Sequence, residues 1–342
     1  MHAHSRFPLT HNPSGWYYGF ISTDLKPKEI KNFTLCDKEV VAYKTEQGTI
    51  NVIDPFCPHL GAHLGHGGKI VGENIECPFH AWQFGTDGKC ANVPYSDGLP
   101  PQKNNRGCIN HWPIKEVQDI VYIWYDNEGN EPWFDIDIPA ELSDRSIWSK
   151  PKIYSWTLDS HIQELVENAV DTAHFTKVHE KTYKNILPKV DESDFSSTSF
   201  SITTTSDFDV LGKKYPTTVF VRCDGLGVMH VESLFTDKMG LHLTMAMRPA
   251  AAGKVELRAI IQHRISKNPL LNVFQRLFAM DFFPNEVEHD IKIWKNKRYV
   301  PKPVLSKDDG PIMPFRKWCE QFYSSPDSVQ PMIASDTLKG AA

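Results

Sequence analysis

The sequence predicts an α+β protein of two domains: an all-β N-terminal domain, and a C-terminal domain in which a large antiparallel sheet grips helices. Two observations support this. The chain has 342 residues, which is more than one ordinary small domain needs. Its β-rich runs are short and closely spaced at first, then longer and joined by helical patterns. We place the domain boundary between residues 134 and 135, so that the domains span 1–134 and 135–342.

The predicted strands of the N-terminal domain are short runs rich in valine, isoleucine and tyrosine that end at glycine or Asp-Gly turns. They extend from about Gly15 to Asp126 and indicate a small antiparallel β domain. Two clusters of cysteine and histidine, within 57–66 and 77–80, lie between such strands, so we expect both at hairpin ends. The polar, proline-containing segment 135–151 has the composition of an interdomain linker.

The C-terminal domain opens with a helical pattern. Apolar residues recur at helical spacing at five positions, which are Leu158, Ile162, Leu165, Ala169 and Ala173. This predicts one helix over the segment. Three β-rich stretches follow at 199–210, 217–235 and 241–265, and they predict a large antiparallel sheet. A second helix is expected near 285–298, directly after Pro284.

The composition excludes several classes of function. A formal net charge of −5 and a pI near 6.3 offer no basic surface to nucleic acid, so we expect no nucleic-acid partner. The start of the chain lacks the apolar core of a signal peptide, and no stretch reaches the ~18 apolar residues of a membrane span. We therefore expect a cytoplasmic protein without a stable membrane span. Seven cysteines in such a chain favour metal binding over disulfides.

The two cysteine–histidine clusters each pair one cysteine with one histidine, and together they form one candidate metal site. Its four residues are Cys57, His59, Cys77 and His80, in the spacings C-x-H and C-x-x-H. A Rieske [2Fe–2S] centre needs this set, because two cysteines hold one of its irons and two histidines hold the other. The flanking sequences CPHLGAHLGHGG and CPFHAWQF also resemble the Rieske motif.

Two alternatives concern the same cluster. A structural zinc site with two cysteines and two histidines uses the same residue types, but one residue between Cys57 and His59 is tighter than the usual zinc spacing of about two to four. His63 and His66 compete with His59 for the ligand position. Only His59 matches the motif, so we interpret the other two as supporting or surface residues.

A separate candidate metal site lies in the C-terminal domain, in ENAVDTAHFTKVH, residues 167–179. His174 and His179 are five residues apart, so on a regular helix they would point ~140° away from each other at ~100° per residue. We therefore expect the helix to loosen or end between them. Two histidines and one carboxylate form the ligand set of a non-heme Fe(II) oxygenase. The candidate carboxylates are Glu286, Glu288 and Asp290.

Over nearly its whole length the chain resembles the terminal oxygenase (α) subunit of Rieske non-heme iron oxygenases. The segments NAVDTAHFTKVH, DIKIWKNKRY and DDGPIMPFRKWCEQFY are most similar to the 3-ketosteroid 9α-hydroxylase oxygenases and sterol 7-desaturases. The resemblance implies that Asp290, in DIKIW, is the third iron ligand. It also implies a head-to-tail homotrimer in which Asp171 bridges His80 of one subunit and His174 of the next, with Asn168 near this face.

The resemblance further implies an O₂-dependent monooxygenase that hydroxylates a hydrophobic steroid or a similar fused-ring substrate. Its cofactors would be the Rieske [2Fe–2S] cluster and one mononuclear Fe(II), with O₂ as co-substrate. Electrons would come from NAD(P)H through a separate ferredoxin or flavin reductase, since GHGGKIVGE does not fit the dinucleotide fingerprint.

Three other functions remain open at this point. The chain could be a sterol desaturase, or it could demethylate the oxygen or nitrogen of a smaller aromatic compound with the same metals. From a different class, it could be a Rieske electron-transfer protein whose C-terminal half binds a partner. The last function predicts no second iron.

Overall fold

The computed structural model describes residues 6–9, 12–101, 108–180, 187–195, 197–210, 213–236, 239–251 and 253–323. Within these ranges the chain forms seventeen β-strands and three α-helices. Among them, no helix is both long and apolar enough to cross a membrane.

The N-terminal domain is built from small antiparallel sheets, as predicted. Its strands are β1 (Gly15–Ile21), β2 (Ile30–Leu35), β3 (Lys38–Lys44), β4 (Ile50–Ile53), β5 (Lys69–Val71), β6 (Asn74–Glu76), β7 (Gln83–Phe84), β8 (Cys90–Asn92), β9 (Ile114–Val117) and β10 (Ile120–Tyr125). They form three sheets, with the orders β1-β10-β9, β2-β3-β4 and β5-β6-β7-β8.

The two cluster loops, 57–62 and 77–82, have different places in these sheets. Loop 77–82 closes the hairpin between β6 and β7, as expected. Loop 57–62 lies on the connection from β4 to β5, which belong to different sheets. An isolated antiparallel bridge between Phe56 and His63 closes this loop, so it too lies at the end of an antiparallel turn, although the bridge joins neither β4 to β5 nor two full strands.

The C-terminal domain contains the predicted large antiparallel sheet. Its strands are β11 (Lys152–Asp159), β12 (Lys189–Asp194), β13 (Ser199–Val210), β14 (Lys213–Asp224), β15 (Val228–Thr236), β16 (Met239–Pro249) and β17 (Lys254–His263). Their order is β11-β17-β16-β15-β14-β13-β12, and neighbouring strands are antiparallel throughout.

The two faces of this sheet have different partners. On one face, Leu243 and Met245 belong to the same core as the helices α1 (Ile162–Glu167), α2 (Pro269–Trp294) and α3 (Ile312–Cys319). On the other face, Ala246 and Ile260 pack with Trp16 of β1 and Tyr122 of β10. Because side chains alternate along a strand, each long strand supplies both interfaces. The sheet therefore lies between the helices and the N-terminal domain.

The first predicted helix is shorter than its apolar pattern. Leu158 lies in β11, where it pairs with Val255 of β17. The helix begins after His161, whose Nδ1 accepts a hydrogen bond from the N–H of Gln163, and it ends at Glu167. A separate 3₁₀ turn spans Ala173–Thr176. Pairing with β17 holds the chain up to Asp159 in a strand, and the cap at His161 sets the start of the helix. The helical spacing of the apolar residues therefore overestimates the length of the helix.

The second helix begins much earlier than predicted. Asn268 caps its first turn, since Oδ1 accepts from the N–H of Leu270 at 3.0 Å, and Pro269 occupies the first helical position. Pro284 lies inside α2 rather than before it. A proline removes only one backbone donor, and the cap at Asn268 with the packing of the C-terminal half outweighs that loss.

The expected linker is packed rather than free. Trp148 is buried, and Ala140–Ser143 form a 3₁₀ turn. The side chain of Gln262 on β17 donates to the carbonyl oxygens of Leu142 and Ser149, at 2.8 and 2.9 Å. Composition alone did not reveal that this segment covers the sheet.

Candidate metal centres and substrate pocket

The two cluster loops share one backbone turn. Gly61 N–H donates to Cys57 O at 2.9 Å, and Ala81 N–H donates to Cys77 O at 3.1 Å. The N–H of each cysteine also donates to the carbonyl five residues later, at 2.9 and 2.8 Å. The fifth residue of each turn is left-handed, with φ of 77° at Gly61 and 55° at Ala81. The matching turns bring the two cysteines to equivalent positions.

The two histidines occupy different positions in this turn. His59 is the third residue of its loop and His80 is the fourth of the other. Their ring centroids are 4.8 Å apart. Among the described residues, no hydrogen-bond partner reaches the buried Nδ1 of His80. That nitrogen is left for a ligand from outside the chain.

The cysteines complete a donor set that fits an iron–sulfur cluster. Cys57 and Cys77 are both buried. Burial raises the pKa of the Cys57 thiol to about 11. A thiolate at this place therefore needs a neighbouring cation near neutral pH. Two such thiols beside two imidazoles suit a Rieske cluster.

His63 and His66 lie outside this donor set. The Nδ1 of His63 accepts a hydrogen bond from the N–H of Gly65 at 3.0 Å, and its ring contacts Phe56. His66 is exposed. The lone pair of His63 is thus used within its own loop.

The candidate site of the C-terminal domain brings three residues together, two histidines and one aspartate. The Oδ1 atom of Asp290 is 3.3 Å from Nε2 of His179 and 3.9 Å from Nε2 of His174. The ligand atoms of the three residues all lie within 4.8 Å of one another. The 3₁₀ turn at Ala173–Thr176 replaces a regular helix here, as the spacing of the histidines predicted. This arrangement fits one divalent metal ion with positions left open.

The other two candidate carboxylates lie elsewhere. Glu288 is exposed. Glu286 contacts Nδ1 of His179, on the opposite side of the ring from Asp290. Burial lowers the pKa of His179, but the carboxylates of Asp290 and Glu286 outweigh it and raise that pKa to about 9.

A second donor group shares His179. It consists of His179, Glu286 and His289. A neutral imidazole has one lone pair, so His179 cannot serve both groups while it is neutral. With a pKa of about 9 the ring carries protons on both nitrogens near neutral pH, so a metal ion would have to displace the proton of Nε2. The proton that stays on Nδ1 pairs with Glu286.

Asn168 and Asp171 both contact His174. The Nδ2 atom of Asn168 is 3.2 Å from Nε2 of His174. The carboxylate of Asp171 accepts a hydrogen bond from the backbone N–H of His174 at 3.3 Å. The backbone carbonyl oxygen of Asp171 contacts Nδ1 of the His174 ring. Nδ1 therefore carries the proton, and Nε2 faces the pocket. Burial lowers the pKa of His174, which keeps the ring neutral.

A cavity extends from these residues between the sheet and α2. Its empty volume is about 1090 Å³, including the part that opens to solvent. The apolar residues of its wall are Leu165, Ala169, Phe175, Ile202, Val219, Val221, Met229, Val231, Leu243, Met245, Phe283, Val287 and Trp294. Thr204, Ser206, Thr217 and Ser233 add hydroxyl groups. A pocket with this lining suits an apolar ligand with few polar groups.

Comparison with known families decides the identity. Residues 15–104 match the Rieske [2Fe-2S] domain, and residues 123–323 match the 3-Ketosteroid 9alpha-hydroxylase C-terminal domain. The chain belongs to the Rieske non-heme iron oxygenases. Neither match ends or begins at residue 134, so the domain boundary stays a prediction.

Relatives of this oxygenase align along most of its length. It is 31% identical to the cholesterol 7-desaturase nvd of Xenopus laevis, over 92% of this chain and 72% of that protein. It is 27% identical to a 3-ketosteroid-9-alpha-monooxygenase oxygenase component of Rhodococcus rhodochrous, over 93% of this chain and 82% of that protein.

Solved structures share the fold of this oxygenase. Dicamba monooxygenase bound to 3,6-dichlorosalicylic acid superposes with a TM-score of 0.69 at 17% identity, covering 90% of this chain and 96% of that chain. The Pseudomonas putida CBB5 NdmA QL mutant with caffeine superposes with a TM-score of 0.68 at 18% identity, covering 93% of this chain and 91% of that chain.

The two matched domains exclude the zinc-site and electron-carrier alternatives.

Two residues of the oxygenase sites were missed or misjudged from sequence. Trp82 stacks on His59 with ring centroids 4.4 Å apart, and its Nε1–H donates to Tyr95 at 2.7 Å. Its position directly after CPFHA was the only signal in the sequence. Glu286 was considered as an iron ligand, whereas it lies behind His179. Its spacing of four residues from Asp290 places both on one side of α2.

Proposed function

We propose that this oxygenase hydroxylates a steroid or a similar fused-ring substrate with O₂. The single observation that carries the proposal is that His174, His179 and Asp290 meet at the wall of a large, mostly apolar cavity. The relatives named above act, by their names, on cholesterol or on 3-ketosteroids. The apolar lining of this cavity, with its few hydroxyl groups, suits a fused-ring lipid.

The geometry supports an assignment of the residues that would hold the cofactors. Cys57 and Cys77 would bind one iron of the [2Fe–2S] cluster, and His59 and His80 would bind the other. The donors for a mononuclear Fe(II) are His174, His179 and Asp290. When bound, the cluster supplies single electrons and the Fe(II) supplies activation of O₂.

The surrounding residues orient these ligands. Asp171 keeps the proton of His174 on Nδ1, and Glu286 keeps that of His179 on Nδ1. Both Nε2 lone pairs then face the same space. Asn168 contacts Nε2 of His174, the atom that would bind the metal, so its amide would have to move aside for a metal. The apolar wall holds the substrate against this corner and limits the access of water.

Electron supply and assembly also belong to this proposal. We propose a separate ferredoxin or flavin reductase that passes electrons from NAD(P)H, and a homotrimer in the cytoplasm. In such a trimer the carboxylate of Asp171 would connect His174 to His80 of the next subunit. Asp171 is only partly buried within one chain, which leaves its carboxylate accessible to a neighbour.

Desaturation is the second candidate, because relatives named cholesterol 7-desaturase include the one at 31% identity. Oxidative demethylation has weaker support, since the dicamba and caffeine structures share only the fold. The three reactions use the same metals and differ in the product.

A single-turnover experiment separates them. The purified holoprotein is reduced chemically and exposed to O₂ with a panel of 3-ketosteroids, sterols and aryl ethers, and the products are read by mass spectrometry. We expect a steroid that gains one oxygen. A steroid that loses two hydrogens would identify a desaturase, and an aryl ether that loses its methyl group would overturn the steroid assignment.

A further inference from the structure

The N-terminal half of α2 has an inverted pattern of polarity. Three of its apolar residues are largely exposed: Leu270 by 78%, Val273 by 56% and Leu277 by 56%. At ~100° per residue these positions fall within about 60° of the helix circumference, so they form one face. Phe274 borders this face and is 43% exposed. We call Leu270, Val273 and Leu277 the apolar face of α2.

The polar side of the same turns is the side that packs on the protein. Gln275 is 2% exposed, and its side chain donates to the carbonyl of Arg264 at 2.9 Å and accepts the N–H of Gly240 at 3.3 Å. Asn272 donates to the carbonyl of Ser266 at 2.8 Å and accepts its N–H at 2.7 Å. These bonds fix the rotation of the helix. The apolar face is therefore held toward solvent rather than turned there by chance.

A contiguous exposed apolar face on a well-anchored helix marks an interaction surface. The charge around it selects the kind of partner. No aspartate or glutamate occurs between Glu256 and Asp281, although the chain as a whole has a net charge of −5. Lys267, just before the helix, and Arg276, on the turns that carry the face, are both exposed. Apolar side chains flanked by cations are the pattern of helices that lie in the interface of an anionic membrane.

The same helix leads into the substrate cavity. Phe283, Val287 and Asp290, in its C-terminal half, line the cavity. Leu277 precedes Phe283 by six residues, which is about 9 Å along the helix axis. The apolar face thus lies about two turns before Phe283, the first described residue of α2 that lines the cavity.

We propose that the apolar face of α2 docks the oxygenase onto an anionic lipid membrane, on the same helix that lines its cavity. A two-fold contact between copies would bring Lys267 and Arg276 of both together. The head-to-tail trimer proposed above would meet instead at Asp171 beside His174, and Asp290, the neighbour of His174 on α2, lies about 20 Å along the helix from Leu277. Docking would let a water-insoluble substrate pass from the bilayer to the cavity. This delivery role rests on the proposed steroid function, whereas the membrane contact does not.

Flotation of the holoprotein with vesicles tests the contact. The vesicles contain either equal parts of phosphatidylglycerol and phosphatidylcholine, or phosphatidylcholine alone. We expect binding to the anionic vesicles that added salt weakens. The double variant Leu270→Ser/Leu277→Ser should lose at least about tenfold in affinity. Val304→Ser removes a fully exposed apolar residue elsewhere and should bind like the wild type.

Two further readouts keep the outcomes distinct. Sedimentation of the double variant reports the oligomeric state, and turnover of a steroid dissolved with cyclodextrin reports the cavity chemistry, which should be unchanged. The proposal is overturned if the wild type does not float, or if the double variant floats as well as Val304→Ser. An assembly that dissociates in the double variant, without any vesicle binding, would identify the face as a contact between copies. Absence of steroid turnover alone would overturn only the proposed function.

Discussion

At the scale of single residues, the imidazole of His179 is controlled from both of its nitrogens. Glu286 contacts Nδ1, and Asp290 lies 3.3 Å from Nε2. A carboxylate behind a metal-binding imidazole fixes its tautomer and raises its basicity. The residue types and their spacing predicted that α2 supplies a carboxylate. They could not assign separate roles to Glu286 and Asp290, because that depends on where the ring of His179 lies relative to the helix.

Replacement of the supporting carboxylate tests this role. Glu286→Ala should weaken Fe(II) binding by roughly 10- to 100-fold, the usual effect of losing such a partner. Glu288→Ala, on the exposed side of the same helix, is the matched control and should bind Fe(II) like the wild type. The measurement is a titration of Fe(II) into protein that retains its cluster. Equal affinities in the two variants would contradict the role of Glu286.

At the scale of elements, the segment that follows α1 is shaped by a close approach of the chain near α3. A Cβ atom on Gly310 would lie 2.1 Å from the carbonyl oxygen of Val170, and Gly310 has a φ of 78°. Only glycine fits this contact. Val170 directly precedes Asp171, so the contact helps to place the segment that carries His174. The sequence predicted the long strands β13 to β17 of the sheet, because they alternate over many residues, but it did not predict the edge strands β11 and β12. It overestimated α1, because a ladder and a cap decide the ends of that helix.

Two glycine variants separate backbone strain from crowding. Gly310→Ala should destabilise the protein by several kcal/mol, since it adds a clash with the backbone to the strain of a left-handed residue. Gly129→Ala has nearly the same φ of 79° but no neighbour within 4 Å, so it should cost only about 1 kcal/mol. Thermal unfolding and iron content report both effects. The prediction fails if the two variants lose equal stability.

At the scale of the whole molecule, one sheet joins the pocket to the N-terminal domain. Its back face also buries a pair of histidines, His230 and His242, with Nδ1 and Nε2 3.3 Å apart and Thr244 within 3.3 Å of both. The ring of His242 packs edge-on against Trp148 from the segment between the domains. Length and pattern predicted two domains. The contacts between them could not be predicted, because they depend on which face of each strand turns toward which domain.

This pair predicts a loss of stability in acid. Burial lowers the pKa of His230 to about 4, and burial with the neighbouring His230 lowers that of His242 to about 3. The unfolded chain binds these protons below pH ~6.5, whereas the folded chain does not until the lower values are reached. Stability should therefore fall as the pH falls from 6.5, by up to ~1.4 kcal/mol per pH unit for each histidine.

Thermal unfolding at pH 7 and pH 5 measures this effect. The double variant His230→Asn/His242→Asn should show a smaller drop in melting temperature between the two pH values than the wild type. His111→Asn replaces an exposed histidine and should keep the drop of the wild type. An unchanged drop in the double variant would assign the acid sensitivity to other groups.

Iron analysis of the reconstituted protein tests most directly whether this chain holds a second metal centre besides its Rieske cluster. The wild type should contain three irons per chain, two in the cluster and one at His174, His179 and Asp290. Asp290→Ala should lose the third iron and keep the cluster absorption, while Glu288→Ala should keep all three. An Asp290→Ala protein with the full iron content of the wild type would contradict the assignment.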